Sequence, residues 1–259
     1  MLLKFISQID SVRLNLISKS FINLISRQNY AHNLDWCGTQ IFQTPTDLFL
    51  YHQLIFRARP NIIIESGVAK GGSILFACQI LDIIHGKSAR SKWKVVCCDI
   101  NSLNEAKDSI GENGYTENVI FFKGDSSDLA FHSLVLDVIK RVPNPSVFLS
   151  LDSNHTEEHV YKELISLAPF VTLKSYAVVW DSRIGDLSIL THYLRPRLWN
   201  KKHNAGTGVK RFMSSLGVSL GFMIDLTFEK NLKITGVKGG ILQRVSVLSY
   251  TKKDSIPCD

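Results

Sequence analysis

The chain has 259 residues, of which 45% are hydrophobic and 20% charged, a composition that suits one substantial core and excludes a wholly disordered chain. Thirty basic against 23 acidic side chains give a formal net charge of +7, which is compatible with nucleic acid, an anionic membrane surface or an acidic glycan. The basic residues are scattered and form no stripe with aromatic residues, so we interpret them as a solvated face and expect no nucleic-acid partner.

The first element in the chain is an apolar segment. Its hydrophobic residues recur at steps of three and four, which predicts an amphipathic helix over residues 1–26 within an N-terminal extension, 1–34. Charged residues interrupt it, and no run in the chain reaches the ~18 apolar residues of a membrane span. Three roles stay open for this helix: packing on the domain, a homo-oligomer contact, or peripheral contact with a membrane.

The most informative segment follows a helix that begins near Asp47 and ends before Pro60. A β-branched run at 62–64 predicts a strand buried on both faces, and an apolar helix pattern resumes after Ser73. Between them lie a carboxylate, Glu65, and a turn containing Gly67, Gly71 and Gly72. Strand, glycine turn and helix are typical of the nucleotide-binding corner of an α/β fold.

The glycine spacing is E-x-G-x-x-x-G-G rather than the G-x-G-x-x-G of dinucleotide-binding proteins. Glu65 would repel a pyrophosphate but attract a cation, so S-adenosylmethionine, with its sulfonium and ammonium groups, fits better than NAD. Lys70 favours a phosphate instead, and a turn that merely packs helix on strand is the simplest alternative. We assign Glu65, Gly67, Gly71 and Ser73 to the cofactor site.

Further strands are predicted at 93–99, 119–122, 146–151 and 176–180, alternating with helices. This alternation predicts a mostly parallel sheet with helices on both faces. The carboxyl ends of such strands form the ligand site, and acidic residues lie at or just beyond five of them in succession: Glu65, Asp99, Asp125, Asp152 and Asp181.

Two of these positions complete the predicted cofactor site. Asp99 ends the strand after the glycine corner, where an acid commonly accepts the ribose hydroxyls, although it is also suited to cap a helix. Asp125 and Ser126 follow the third strand, where we expect the adenine ring. Two closing strands, at 222–226 and 242–250, predict an antiparallel edge, so we delimit a domain at 35–250 and a flexible tail at 251–259.

The candidate catalytic residues are Asp152, His155 and Asp181. Two carboxylates at neighbouring strand ends suit Mg²⁺, which prefers oxygen ligands, so Asp152 and Asp181 are the predicted metal ligands. His155 has the intrinsic pKa of a general base, although a histidine at this position is also an ordinary start of a helix. Five cysteines without a C-x-x-C pair indicate a reducing, cytoplasmic compartment.

The sequence resembles the cephalosporin hydroxylase family, which includes rhamnosyl O-methyltransferases. The resemblance covers roughly residues 35–250 and rests on motifs that occur in the expected order: Trp36-x-Gly38, Pro45-x-Asp47, Glu65-x-Gly67-x-x-x-Gly71-Gly72-Ser73, Asp99-Ile100, Gly124-Asp125-Ser126, Leu151-Asp152-Ser153-x-His155, Glu163-Leu164 and Val179-x-Asp181.

The resemblance implies a Rossmann-like methyltransferase fold with a seven-stranded sheet, S-adenosylmethionine at the glycine corner and Mg²⁺ at the strand ends. It also implies O-methylation of a hydroxyl on a sugar, glycan or natural-product acceptor. The family's metal site typically carries a Glu-Asp pair after the fifth strand, whereas this chain has Trp180-Asp181. An RNA methyltransferase and a non-catalytic, membrane-peripheral binding protein are the alternative functions.

Overall fold

The computed structural model of the protein describes residues 2–194 and 198–246. The predicted tail at 251–259 and the end of the last predicted strand, 247–250, lie outside the described residues. A central sheet of seven strands runs through the molecule. Its strands, in chain order, are β1 (Ile62–Ser66), β2 (Lys94–Asp99), β3 (Val119–Lys123), β4 (Val147–Leu151), β5 (Tyr176–Val179), β6 (Phe222–Ile224) and β7 (Ile241–Arg244).

Helices alternate with the first five strands, as the sequence predicts. Within the described residues the α-helices are α1 (Leu2–Arg27), α2 (Pro45–Ala58), α3 (Gly72–His85), α4 (Asn104–Glu112), α5 (Leu129–Arg141), α6 (Glu157–Leu167), α7 (Ile189–Leu194), α8 (Ala205–Phe212) and α9 (Thr227–Leu232). A short hairpin precedes α2, with two strands of two residues each, Asp35–Trp36 and Thr39–Gln40.

The strands are ordered β3-β2-β1-β4-β5-β7-β6. Strands β1 to β5 pair in parallel, whereas β7 pairs antiparallel with both β5 and β6. This confirms the predicted mostly parallel sheet with an antiparallel edge. Because β2 and β4 flank β1 on opposite sides, the chain winds outward in two directions from β1, and a crevice forms there at the carboxyl ends of the strands.

Strand β1 is buried on both faces because its residues alternate between two cores. Ile63 packs with residues of α2, α3 and α4 on one side of the sheet. Ile62 and Ile64 pack on the other side with residues of α5, α6 and α8. All three side chains are fully buried, and each contributes roughly 1.5–3 kcal/mol of transfer free energy.

Local signals fix the ends of α2, which delivers two residues to the site. The Thr44 hydroxyl accepts a hydrogen bond from the Asp47 amide at 3.3 Å, and Pro45 occupies the first helical position. Arg59 ends the helix in a left-handed conformation immediately before Pro60. The helix therefore begins two residues earlier than the Asp47 start expected from the sequence.

Helix α1 packs on the domain through its C-terminal half. The buried Ser18 hydroxyl donates to the Lys233 carbonyl at 2.9 Å. Asn23 Oδ1 accepts from the Ser188 amide at 2.7 Å and from the Thr191 hydroxyl at 2.8 Å. Packing is thus the role that the structure shows for this half. No helix among the described residues is long and apolar enough to cross a membrane.

Candidate active site

A cavity of about 750 Å³ opens at the carboxyl ends of β1, β2, β4 and β5. Its floor is the turn between β1 and α3 together with the segments that follow the other strands. Its outer wall comes from α1, through Phe21, Ile22 and Ile25, and from the segment after α7, through Leu198 and Trp199. The volume lies within the usual range for a small-molecule site.

The glycine turn is shaped by close contact with the end of β4. Gly67 has a φ of +86°, and a Cβ added there would lie 2.2 Å from the Asp152 carbonyl oxygen. Gly71, with a φ of +91°, packs against Ala106 of α4 and does not line the cavity. Gly67 and Ser73 do line it, so the structure places these two of the predicted glycine-corner residues at the cavity surface.

Asp99 binds the glycine turn directly. Its Oδ2 accepts hydrogen bonds from the Val68 and Ala69 amides, both at 3.0 Å. Its Oδ1 accepts from the Asn101 amide at 2.8 Å and from the Asn101 side chain at 3.1 Å. A carboxylate offers about four lone-pair positions, so protein donors occupy the acceptor capacity of Asp99. A ribose hydroxyl would therefore have to displace Asn101, which also lines the cavity.

Glu65 lies beneath the cavity surface rather than in it. It is 1% exposed and accepts hydrogen bonds from the Tyr51 hydroxyl at 2.7 Å and the Ser73 hydroxyl at 2.5 Å. Burial raises the pKa of Glu65, while these hydrogen bonds act in the opposite direction. Glu65 therefore does not line the cavity, and its hydrogen bond with Ser73 connects it to the site.

Lys70 lines the cavity, but its charge is paired. Its Nζ lies 2.6 Å from Glu105 Oε1 of α4. The phosphate alternative needs this ammonium, and the ion pair reduces the charge that Lys70 can offer to an anion.

Three carboxylates from distant parts of the chain converge beside the glycine turn: Asp47, Asp152 and Asp181. Asp47 Oδ1 accepts from the Thr235 hydroxyl at 2.5 Å and the Gly236 amide at 3.0 Å. A Cβ added to Gly236 would lie 3.1 Å from Asp47 Oδ2 and 3.3 Å from Asp181 Oδ1, so this glycine lies between the two acids.

The electrostatics of this acid cluster favour a positive charge. Burial raises the pKa of Asp47 to about 6, against hydrogen bonds from Thr235 and Thr44 that lower it. Burial and the carboxylate of Asp181 raise the pKa of Asp152 well above its usual range. Like charges in one site disfavour each other's ionised form, and a nearby cation reverses that effect.

His155 lies between two of these acids. Its Nε2 is 3.5 Å from Asp181 Oδ2 and 4.0 Å from Asp152 Oδ1. Asp152 Oδ2 accepts a further hydrogen bond from Gln43 Nε2 at 2.8 Å. The structure therefore brings together all three predicted catalytic and metal-binding residues, with Gln43 as an additional partner.

The donor set does not form a metal site as arranged. Trp180 occupies the position before Asp181, and its indole N–H donates to the Ser150 hydroxyl at 2.9 Å within the sheet. Across residues 2–194 and 198–246, no group of three or more His, Cys, Asp or Glu side chains is placed to hold a metal ion. Asp152 and Asp181 are thus the carboxylates available to the predicted Mg²⁺, and Asp47 beside them is already held by Thr235 and Gly236.

A second polar cluster borders the cavity after β3 and β4. Ser126 Oγ and Ser153 Oγ both donate to Glu163 Oε1, at 2.5 and 2.8 Å, and each lies 3.1 Å from His159 Nε2. Burial lowers the pKa of His159, but the partnership with Glu163 outweighs it, and the net direction is upward. The cluster joins the two loops that would flank an adenine ring.

Asp125 also lines the cavity but uses one oxygen within its own loop. Its Oδ1 accepts from the Ser127 amide at 2.8 Å and the Ser127 hydroxyl at 2.7 Å. Partial burial raises the pKa of Asp125, yet the Ser127 hydrogen bonds and His159 bring it below its ordinary value.

Sequence reasoning missed several residues that the fold brings to the site: Gln43, Asn101, His159, Thr235 and Gly236. It used Asp47 as the start of a helix and as part of the Pro45-x-Asp47 motif, not as a site residue. Among these, Asp47 and Gly236 carried visible signals, because each belongs to a short polar or glycine-containing motif beside an apolar run. The contact between them spans 189 positions in the chain and has no local signature.

The sheet order, the glycine turn after β1 and the acid cluster define a Rossmann-like fold of the O-methyltransferase type. A solved structure of CmcI, in its Mg-SAM form, shares this fold with a TM-score of 0.54 at 18% identity, over 83% of this chain and 78% of that one. The family described as rhamnosyl O-methyltransferase/CmcI matches residues 28–245. The chain belongs to this family.

The curated relatives are more similar in sequence, but the match spans only part of each chain. A rhamnosyl O-methyltransferase from Mycobacterium tuberculosis is 28% identical over 169 residues, which cover 62% of this chain and 64% of the relative. The protein of the same name from Mycobacterium leprae is 26% identical over 161 residues, covering 61% and 64%. The chain thus spans about two thirds of the length of the curated relatives it matches.

Proposed function

We propose that this protein is an S-adenosylmethionine-dependent O-methyltransferase that methylates a hydroxyl of a sugar, either in a glycan or in a natural product. The observation that carries the proposal is one cavity in which a glycine turn, a strand-end Asp99 and a histidine flanked by carboxylates meet. The rhamnosyl O-methyltransferase relatives support the same activity and acceptor class, and the Mg-SAM form of CmcI supports the same cofactor.

The residues of the cavity fit the cofactor. The exposed backbone of the glycine turn suits a nucleoside, and we expect Asp99 to accept the ribose hydroxyls in place of Asn101 and Ser126 to lie near the adenine. The acid cluster of Asp47, Asp152 and Asp181 suits the cationic end of the molecule, because a sulfonium or ammonium relieves the repulsion among carboxylates. When bound, S-adenosylmethionine supplies an already activated methyl group, so the protein need only align and deprotonate the acceptor.

His155 is the proposed general base. An imidazole nitrogen accepts the proton of the acceptor hydroxyl, and the carboxylates of Asp152 and Asp181 stabilise the imidazolium that forms. Asp152 and Gln43 hold one side of this arrangement by their hydrogen bond. His155 alone takes the proton in this proposal, and Asp152 and Asp181 are the residues that would hold a Mg²⁺. A reducing, cytoplasmic location, consistent with the free cysteines Cys37, Cys78, Cys97 and Cys98, is part of the proposal.

The test is transfer of a labelled methyl group from S-adenosylmethionine to a panel of rhamnosylated acceptors. His155→Ala should lower kcat by ~10²-fold or more, the usual scale for loss of a general base, with unchanged affinity for S-adenosylmethionine in calorimetry. His132→Ala is the matched control, because His132 lies on α5, packs at a tilt against the Phe170 ring and does not line the cavity. Equal turnover in both variants would remove His155 from the mechanism, and turnover abolished by excess EDTA would show that the reaction also needs a metal ion.

A further inference from the structure

Helix α1 presents an apolar face to solvent, opposite the face that packs on the domain. The packed side carries the fully buried Ser18 and the cavity-lining Ile22 and Ile25. The outward side chains are between 37% and 60% exposed and recur at helical spacing. They are Ile6, Ile9, Leu16, Ile17 and Leu24.

Helix α7 extends this apolar face. Ile189 is 79% exposed and Tyr193 81%, values that are high for side chains of this size. The two helices are joined by hydrogen bonds from Thr191 to Asn23 at 2.8 Å and from Arg27 to Thr191 at 3.2 Å. We call the combined outward face of α1 and α7 the α1–α7 surface, defined by Ile6, Ile9, Leu16, Ile17, Leu24, Ile189 and Tyr193.

The charge of α1 indicates what this surface contacts. The helix contains four basic residues, Lys4, Arg13, Lys19 and Arg27, and a single acid, Asp10. An amphipathic helix that combines an apolar face with lysine and arginine binds in the plane of an anionic membrane interface. A symmetric pair of protein copies would instead place this cationic helix against itself, which like-charge repulsion disfavours.

We propose that the α1–α7 surface docks on the headgroup region of an anionic phospholipid membrane. The apolar side chains enter the interface, and Arg13 and Lys19 contact lipid phosphates. Because the inner face of α1 lines the cavity, through Ile22 and Ile25, docking places the cavity beside the membrane surface. This inference is independent of the reaction that the cavity catalyses.

Vesicle flotation tests the apolar part of the surface. The full chain should float with vesicles of phosphatidylcholine and phosphatidylglycerol, and the double variant Ile17→Gln/Tyr193→Gln should partition on the order of tenfold more weakly. Neither residue lines the cavity. The matched control is Ile83→Gln, since Ile83 is also exposed, at 68%. It lies near the C-terminal end of α3, where His85 contacts Pro60 before the start of β1, at the end of the strands away from the cavity.

A second variant tests the basic residues of α1. Arg13→Gln/Lys19→Gln should weaken flotation with phosphatidylglycerol vesicles and leave the slight binding to pure phosphatidylcholine unchanged, and added salt should have the same effect as the substitution. Matching thermal unfolding of each variant verifies its fold. Absence of flotation for the wild-type chain overturns the proposal. So does light scattering that shows a dimer which Ile17→Gln/Tyr193→Gln dissociates, because the surface is then a contact between copies.

Discussion

At the residue scale, Asp99 lies where the sequence predicts, but its hydrogen-bond partners differ from the ribose contact expected for it. The sequence places it at the end of β2, and the structure confirms that position. Its oxygens, however, accept hydrogen bonds from the Val68 and Ala69 amides and from Asn101. Asp99 is therefore first a support for the glycine turn, and a ribose contact would come by exchange with Asn101.

This arrangement predicts different effects for two neighbouring substitutions. Asp99→Asn replaces one acceptor oxygen by a donor that faces backbone amides, so we expect about tenfold weaker binding of S-adenosylmethionine, the scale of one lost charge-assisted hydrogen bond. Asn101→Ala removes a group that the ribose displaces, so affinity should stay the same or rise slightly. Calorimetric titration of both variants measures this, and a larger loss for Asn101→Ala would contradict the exchange.

Asp47 carries a pH dependence whose sign follows from its environment. Its pKa of about 6 in the folded protein lies above the ordinary aspartate value of 3.8, so the folded state binds the extra proton between those values. Stability from this group is thus fully present below about pH 4 and is lost as the pH rises through about 6. The loss amounts to about 3 kcal/mol at most.

Denaturant unfolding of wild type and Asp47→Asn at pH 4 and pH 7 measures that loss. The free energy of unfolding of the variant minus that of wild type should be larger at pH 7 than at pH 4. Asp137→Asn, at a 61% exposed side chain on α5, is the control and should give the same difference from wild type at both pH values. A pH-independent difference for Asp47→Asn would contradict the burial argument.

The sequence could locate these acids because strand ends are legible from apolar runs and turns. It could not give every side-chain direction without the packing. Glu65 shares a face of β1 with Ile63, since alternate residues of a strand point the same way, and that face is covered by α2 and α3. Strand alternation was the available signal that Glu65 is buried beneath the turn, and Tyr51, 14 positions away, completes its environment.

At the scale of elements, the contact between the β1 turn and the end of β4 sets the shape of the cavity. Gly67 permits that contact twice over, through its positive φ and through the missing Cβ. Periodicity predicts both strands, but it does not predict that their following loops touch. The same limit applies to α1, whose pattern predicts a helix and not its place in the cavity wall.

The two contributions of Gly67 can be separated by matched alanine substitutions. Gly38→Ala has a similar φ, +81°, and no atom within 4 Å of the added Cβ, so it should cost only the left-handed backbone penalty of roughly 1–2 kcal/mol. Gly67→Ala adds a backbone clash at 2.2 Å and should cost at least about 2 kcal/mol more. Chemical denaturation gives both values, and equal costs would show that the β4 loop yields without strain.

At the scale of the whole molecule, the parallel core and its edge were predictable because alternating strands and helices admit few topologies. What the pattern left open was the ligand, because a glycine corner in such a sheet serves dinucleotides as well as S-adenosylmethionine. The charges around the cavity of the folded protein discriminate between these two ligands. The acid cluster faces the cavity, whereas Lys70 is paired with Glu105, so the site as a whole is suited to a cation more than to a pyrophosphate.

Ligand-induced thermal stabilisation tests that discrimination on the intact chain. A ligand at about 100 times its Kd adds about 2.7 kcal/mol of stability, which for a chain of this size raises Tm by roughly 5–10 °C. We expect S-adenosylmethionine, with its sulfonium, to produce this shift, and NAD and ATP at equal concentration to produce none. S-adenosylhomocysteine, which lacks the sulfonium charge, should stabilise less than S-adenosylmethionine if the acid cluster contributes to binding. A larger shift with NAD or ATP would reverse the electrostatic argument and return Lys70 to the role of a phosphate ligand.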